Sequence, residues 1–328
     1  MVEDWFVVET LADEGPHTVV ADGGRRKSWA SLARIRSTNG SAVSSRIPSL
    51  VDRCIKSASP CTRTVPASRS ATSIDLVADP VFDAYGLVRA VQVWCGPTGS
   101  TTSVKRVVGA FEWNWNTKTA HCGPGVETLL LGMRSQRSIR SAPDIFSRVV
   151  RFDDRLSFLD LLANFELGKS WEGCVTIAHE GQRMKRVQLV ARTHAMEEQR
   201  RARCILHDIT DIDPPAPLLD AAALRLVAGA SGTGVGLVGL DWGVIYEWLS
   251  APAAPLDRWV EERPEIHPED LSTFEAACRR MCIDSDQESV EMRVRFEGDQ
   301  WVDTIVELEL ATRSTPPQGI IRVTPIGR

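Results

Sequence analysis

At 328 residues, with 43% hydrophobic and 25% charged residues, the chain has the composition of a folded protein and the length of two or three domains, which excludes a fibre and a chain disordered throughout. Lys and Arg number 38 against 43 Asp and Glu, a net charge of -5, so the molecule as a whole is not drawn to nucleic acid or anionic lipid. Scattered cysteines without a CxxC pair, two acids at Glu3 and Asp4, and an uncharged stretch confined to Leu226–Leu240 predict a cytoplasmic protein with reduced thiols, no leader and no membrane span.

In chain order, Trp5–Thr10 and Leu87–Trp94 read as strands, the second (LVRAVQVW) alternating like a half-buried one. Between them, residues 36–73 are rich in Ser and Arg and poor in acid, with Pro48, Pro60 and Pro66 barring a long helix. A long, partly mobile loop is expected there, and its basic character is the one feature that could serve a nucleic acid. The first hundred residues thus predict a small mixed domain. Two Arg-rich pieces, 134–140 and 197–203, read as solvated loops because acids flank the second. Asp211–Pro217, DIDPPAP, reads as a linker, and Leu218–Val227 as a packing helix after it.

Sliding residues 105–213 over 220–328 shows an internal repeat. Gly109–Trp115 matches Gly236–Trp242 as an apolar strand; Arg151–Arg155 matches His267–Leu271 as a helix start with acids in its first turn. Apolar stripes follow, Leu156, Leu159 and Leu162 in one copy, Leu271, Phe274, Cys278 and Met281 in the other. Each copy then gives two strands around a Glu-Gly turn (Glu180-Gly181, Glu297-Gly298) and a closing strand. That order predicts an α+β domain whose helices gather on one face of an antiparallel sheet.

These residues resemble a known family. GAFEWNWNTKTAHCGPGVETLLLG resembles the opening of a PAS sensor domain, and RFDDRLSFLDLL, with Asp153 and Asp154, its "HPDD" helix. ARCILHDITD is similar to its last strand, which closes on Asp208, Ile209 and Thr210. The second copy keeps the helix signature as His267, Pro268, Glu269 and Asp270 but has Thr324-Pro325-Ile326 where the closing triplet would stand. ADPVFDAYGLVRAVQVWCGP is similar to the closing strands of GAF domains. The reading is three small α+β domains: GAF-like at 1–100, PAS-like at 105–213 and PAS-like at 218–328. This arrangement resembles divergent actinobacterial proteins made only of sensor domains. The resemblance implies a non-enzymatic signalling protein that senses small ligands or protein partners and passes the signal by protein contact. Members often pair through helices flanking the sheet, and Leu218–Val227 could serve such pairing or equally pack only within one chain. No kinase, cyclase or DNA-binding module follows the last strand in this sequence, so a surface is expected to carry the signal.

The chemical motifs weigh less. Gly234-Val-Gly-Leu-Val-Gly239 matches GxGxxG formally, but strand-like sequence follows where a dinucleotide site needs a helix, so turn and strand-entry glycines are the reading. His267 beside Glu269 and Asp270 suits a helix cap better than an acid/base group, since Arg151 stands there in the first copy. Cys278 and Cys282 have metal-compatible spacing but no partner ligands in sequence, and His121, His179 and His194 carry no mark of haem ligation; no metal or catalytic residue is assigned, and no cofactor is named. Trp113 and Trp115, on one side of the first PAS-like strand, are the candidates for lining a planar-ligand pocket. The alternative function is a divergent enzyme using a pocket Cys or His.

Overall fold

The computed structural model describes residues 4–32, 41–66, 73–132, 137–179, 183–196, 199–215 and 233–326. They form three largely antiparallel sheets with few helices, an α+β architecture. The expected packing helix Leu218–Val227 and the turn at Glu180-Gly181 lie outside the described residues.

The first sheet is built from β1 (Phe6–Glu9), β2 (Thr18–Asp22) and β3 (Arg25–Ser31), then helices α1 (Ser41–Ser44) and α2 (Ile47–Ser57), then β4 (Cys61–Pro66), β5 (Ser73–Phe82) and β6 (Val88–Pro97). Its order is β3-β2-β1-β6-β5-β4. Where it is described, at 41–66, the expected Ser/Arg loop is therefore mostly regular structure. Ile47, Leu50, Val51 and Cys54 fall at helical spacing on one face, and all four are fully buried. Burying Ile47, Leu50 and Val51 contributes about 1.5–3 kcal/mol each, which outweighs the neutral to unfavourable propensities of the serines. Pro48 sits in the first turn, where its missing N–H costs nothing, and the helix ends at Ala58 in the left-handed region, φ 46°, ahead of Pro60.

The second sheet comprises β7 (Val108–Asn114), β8 (Thr119–Cys122), β9 (Ile139–Ser141), β10 (Val149–Phe152), β11 (Ser170–His179), β12 (Arg183–Met196) and β13 (Gln199–Asp208), in the order β10-β11-β12-β13-β7-β8-β9. A π-helical turn spans Gly125–Leu130, and helices α3 (Ala142–Ser147) and α4 (Arg155–Ala163) precede β11. The third sheet comprises β14 (Gly234–Gly239), β15 (Val244–Ser250), β16 (Glu265–Ile266), β17 (Gln287–Arg295), β18 (Val302–Thr312) and β19 (Gln318–Pro325), with helix α5 (Pro268–Ile283) before β17; its order is β15-β14-β19-β18-β17-β16. The repeat is visible as topology. In both sheets the initial hairpin and the final three-strand meander are joined so that the first strand lies beside the last: β8-β7-β13-β12-β11 and β15-β14-β19-β18-β17. The first sheet obeys the same closure, β1 pairing antiparallel with β6.

The chain divides into two compact units: 1–113 with 121–138 and 167–215, and 114–120 with 139–166 and 216–328. In the first unit, β6 is not half-buried as its alternation predicts; every residue from Arg89 to Gly96 is buried. Val91, Val93 and Cys95 face the core under α2, while Ala90, with Val7, Val20 and Val81, packs against Val108, Ala110, Val190 and Ile205 of the second sheet. Sheet-on-sheet packing thus covers the face that alternation assigned to water, and its polar side chains are used: Gln92 Nε2 donates to the Arg106 carbonyl and Gln188 Nε2 to that of Val20, both at 2.9 Å.

In the second unit, Phe274, Ala277, Cys278 and Met281 of α5 pack with Trp248, Trp259 and the inner faces of β17 to β19. Leu271 is 39% exposed and the buried stripe starts at Phe274; in α4, Leu156 is 41% exposed and Phe158, Leu159, Leu161 and Leu162 are buried. In both helices the first turn stands outside the core, so its leucine does too.

Candidate functional site

The helix signatures have structural work. His267 caps α5, its Nδ1 accepting from the Glu269 amide at 3.3 Å, and its ring lies 4.8 Å from Trp301. Pro268 follows in the first turn. Asp270 Oδ2 accepts from both Nε and the amide of Arg293 at 2.9 Å, and these bonds hold its carboxyl down to about 2. In the first copy Asp153 pairs with Arg151, while Asp154 occupies the cap position of α4 without a side-chain cap bond. Asp208 Oδ1 accepts from the amide and hydroxyl of Thr210 at 3.0 and 2.6 Å; Ile209 is buried, and Thr210 Oγ1 accepts from the Arg186 amide. The Asp-Ile-Thr triplet thereby pins the end of β13 to β12. Asp211 beyond it is held by Arg106, which also binds Asp4. Gly234–Gly239 is strand β14, with no helix after it.

The second unit contains a narrow cleft with a volume of about 40 Å³. Val244, Ile245, Trp259 and Phe274 line it, with Lys118 and Glu262 bringing charge. Neither Trp113 nor Trp115 is part of its lining. Both are buried, and Trp115 meets Phe165 edge-on at 5.2 Å. The cleft has too little room for a drug-sized ligand and enough for the tip of one partner side chain.

The first unit holds a feature that sequence reading missed. Glu112 of β7, 1% exposed, faces three guanidinium groups: Arg201 and Arg203 of β13 and Arg89 of β6. Arg89 also binds Asp83 at 2.7 Å, and Asp83 Oδ1 accepts from the amides of Tyr85 and Leu87. Arg203 reaches the Leu11 carbonyl at 3.0 Å and Asp13 at 2.6 Å; Asp13 in turn lies 2.9 Å from His194 Nδ1. Arg201, expected in a solvated loop, is a strand residue, and Arg203, which opens the expected closing strand Arg203–Asp208, is buried; the acid that neutralises both comes from β7 and not from their neighbours in sequence. Exposed Tyr85 stacks on His121 with ring centres 5.4 Å apart and lies over Arg201.

The cluster balances itself: Glu112, Asp83 and Asp13 against Arg89, Arg201 and Arg203. Burial lowers the pKa of His194, with Arg203 adding to it, and burial likewise lowers His121. Burial pushes His207 down to about 4, and pushes the Cys54 and Cys278 thiols up to about 12. The imidazoles are therefore neutral and these thiols protonated near pH 7, an arrangement suited to rigid positioning more than to proton transfer. Among the described residues no three His, Cys, Asp or Glu side chains gather to hold a metal, and no helix is long and apolar enough to cross a membrane.

Residues 4–102 match the family described as "Rv3651-like, N-terminal". A crystal structure of an uncharacterised protein from Mycobacterium tuberculosis aligns with 99% of this chain and 97% of its own, at 18% identity and a TM-score of 0.75. The fold is shared with that protein over nearly its full length. A PAS domain of an HTR-like protein from Haloarcula marismortui aligns at 14% identity and a TM-score of 0.25, over 31% of this chain and 85% of its own. An RNA-binding Light-Oxygen-Voltage receptor gives 9% and 0.27, over 67% and 95%. These last two overlap too loosely to define a shared fold. No curated protein matches the sequence.

Proposed function

We propose that this chain is a non-enzymatic, cytoplasmic signalling protein with a GAF-like domain at 1–100 and PAS-like domains at 105–213 and 218–328. It senses ligands or partners and passes the signal by protein contact as a scaffold. The observation that carries this reading is the strand order common to the second and third sheets, each a hairpin, a helical stretch and a three-strand meander closing on the first strand. It agrees with the PAS resemblance of the two sequence copies. A PAS-like sheet with helices over one face offers two outputs, an interior that holds a molecule and an exterior that holds a protein. Occupancy of either shifts packing only by its different affinity for two arrangements. The third sheet's interior is filled by Trp248, Trp259, Phe274 and Met281, which favours partner contact there over a large ligand. The enzyme alternative has less support, since the buried thiols and imidazoles are held in their unreactive forms.

Native mass spectrometry of the chain purified from its own host, before and after denaturation, tests the reading. A retained small molecule lost on unfolding, or a co-purifying protein in fixed ratio, is the expected result. A bare chain with neither, together with turnover of a substrate abolished by a single Cys or His substitution, would overturn it.

A further inference from the structure

The eight cysteines are all free thiols, and two of them converge. Cys54, in the last turns of α2, is fully buried, and its Sγ lies 3.6 Å from the Ala78 carbonyl oxygen. Cys61, the first residue of β4, is half-buried and is the direct cross-strand partner of that same Ala78. Such partners have Cα atoms about 4.5–5.5 Å apart, so both cysteines border one residue of β5. The gap between helix and strand is fixed from both sides: Arg53 Nη2 donates to the Thr62 carbonyl at 3.2 Å, Arg63 Nη1 to Ser49 Oγ at 3.4 Å, and Ser57 Oγ sits 3.6 Å from Cys61 Sγ. Consistent with this proximity, Cys61 is the second cause, after burial, of the raised pKa of Cys54.

We propose that Cys54 and Cys61 are a redox-modification site, closing to a reversible disulfide when a hydroperoxide reaches Cys61. The half-buried Cys61 sulfur attacks the peroxide, taking one oxygen to become a sulfenic acid while the other oxygen leaves as water or an alcohol. The Cys54 sulfur then attacks the Cys61 sulfur: the S–S bond forms, the S–O bond breaks, and hydroxide leaves with the Cys54 proton as water. Two thiols are oxidised by two electrons and the peroxide is reduced by two. Because Cys54 is largely protonated at pH 7, closure should quicken by up to about tenfold per pH unit toward alkaline pH.

Trypsin provides a direct readout, since cleavage after Arg53, Lys56 and Arg63 separates Cys54-Ile55-Lys56 from Ser57–Arg63. The full chain is treated with hydrogen peroxide, alkylated and digested. The expected product is these two peptides joined, lighter than their sum by two hydrogens and parted by dithiothreitol. C61S should abolish the link, and C54S should leave Cys61 as a sulfenic acid captured by dimedone. Diamide, which oxidises thiol pairs without a sulfenic step, should give the same joined peptide in the unsubstituted chain, independently of how either variant folds. Free Cys54 beside Cys61 oxidised to the sulfinic acid, with no joined peptide from either oxidant, would overturn the proposal. So would a link formed as readily between Cys278 and Cys282.

Discussion

The second and third sheets share one strand order and differ in what covers them. In β7 of the second sheet every residue from Val108 to Asn114 is buried, and β13 is buried from Ala202 to His207. In the third sheet β17 and β18 alternate, and their outer face pairs exposed Glu291 with Ile305 and Glu307 with Arg322. The second sheet packs its other face on the first sheet, so charges that the third sheet leaves to water must there be matched by protein. Glu112 and its three arginines are that match. Topology alone thus does not say whether a strand's polar residue is a surface residue or a structural one; the neighbour across the face decides.

The sharpest way to break the comparison is Glu112→Ala, which strands buried guanidinium groups and should cost about 3–5 kcal/mol in urea unfolding. Glu112→Gln, keeping the shape, should cost less. A cost near that of a surface site would mean the cluster is solvated and the two sheets alike.

Next is pH. His207, 3% exposed, has its pKa lowered to about 4 by burial, so its stabilising effect is full above the unfolded pKa near 6.5 and fades as pH falls toward 4. The loss should be on the order of 3 kcal/mol, and His207→Gln should flatten the melting temperature across that window. In the second copy of the repeat, Asp270 is held down to about 2, so its contribution is present above about pH 4 and fades only as pH falls toward 2. Asp270→Asn should remove that acid limb and leave the window between pH 6.5 and 4 unchanged. The smallest effect belongs to Ile305→Thr on the outer face, within about 0.5 kcal/mol; a larger loss would mean that face is covered in solution.

Much of the fold was legible because it is local. The repeat and the acidic, His267-capped start of α5 each occupy a few consecutive residues, and turn glycines such as Gly298, φ 83°, stand where the strands reverse. In the first copy the expected helix start is not one, since Arg151 and Phe152 end β10 and α4 begins at Arg155 with no acid in its first turn. What was not legible depends on distant partners. Arg201 and Arg203 look solvated beside Glu197 and Glu198, because Glu112 is nowhere near in sequence. The alternation of β6 was read correctly as a pattern and wrongly as exposure, since nothing in Leu87–Trp94 announces a second sheet. The stripe Ile47, Leu50, Val51 and Cys54 was present in the sequence but lay under a Ser- and Arg-rich composition. Trp113 and Trp115 are large and aromatic, which packing uses as readily as ligands do.

The carboxylate shared by Arg89, Arg201 and Arg203 also bears on how the chain is made. A ribosome delivers β6 with Arg89 long before β13, so until synthesis has passed Arg203 the first sheet has one finished face and one bare apolar face. The nascent first sheet thus exposes apolar surface during that interval, and the last strand of the second sheet ends its exposure.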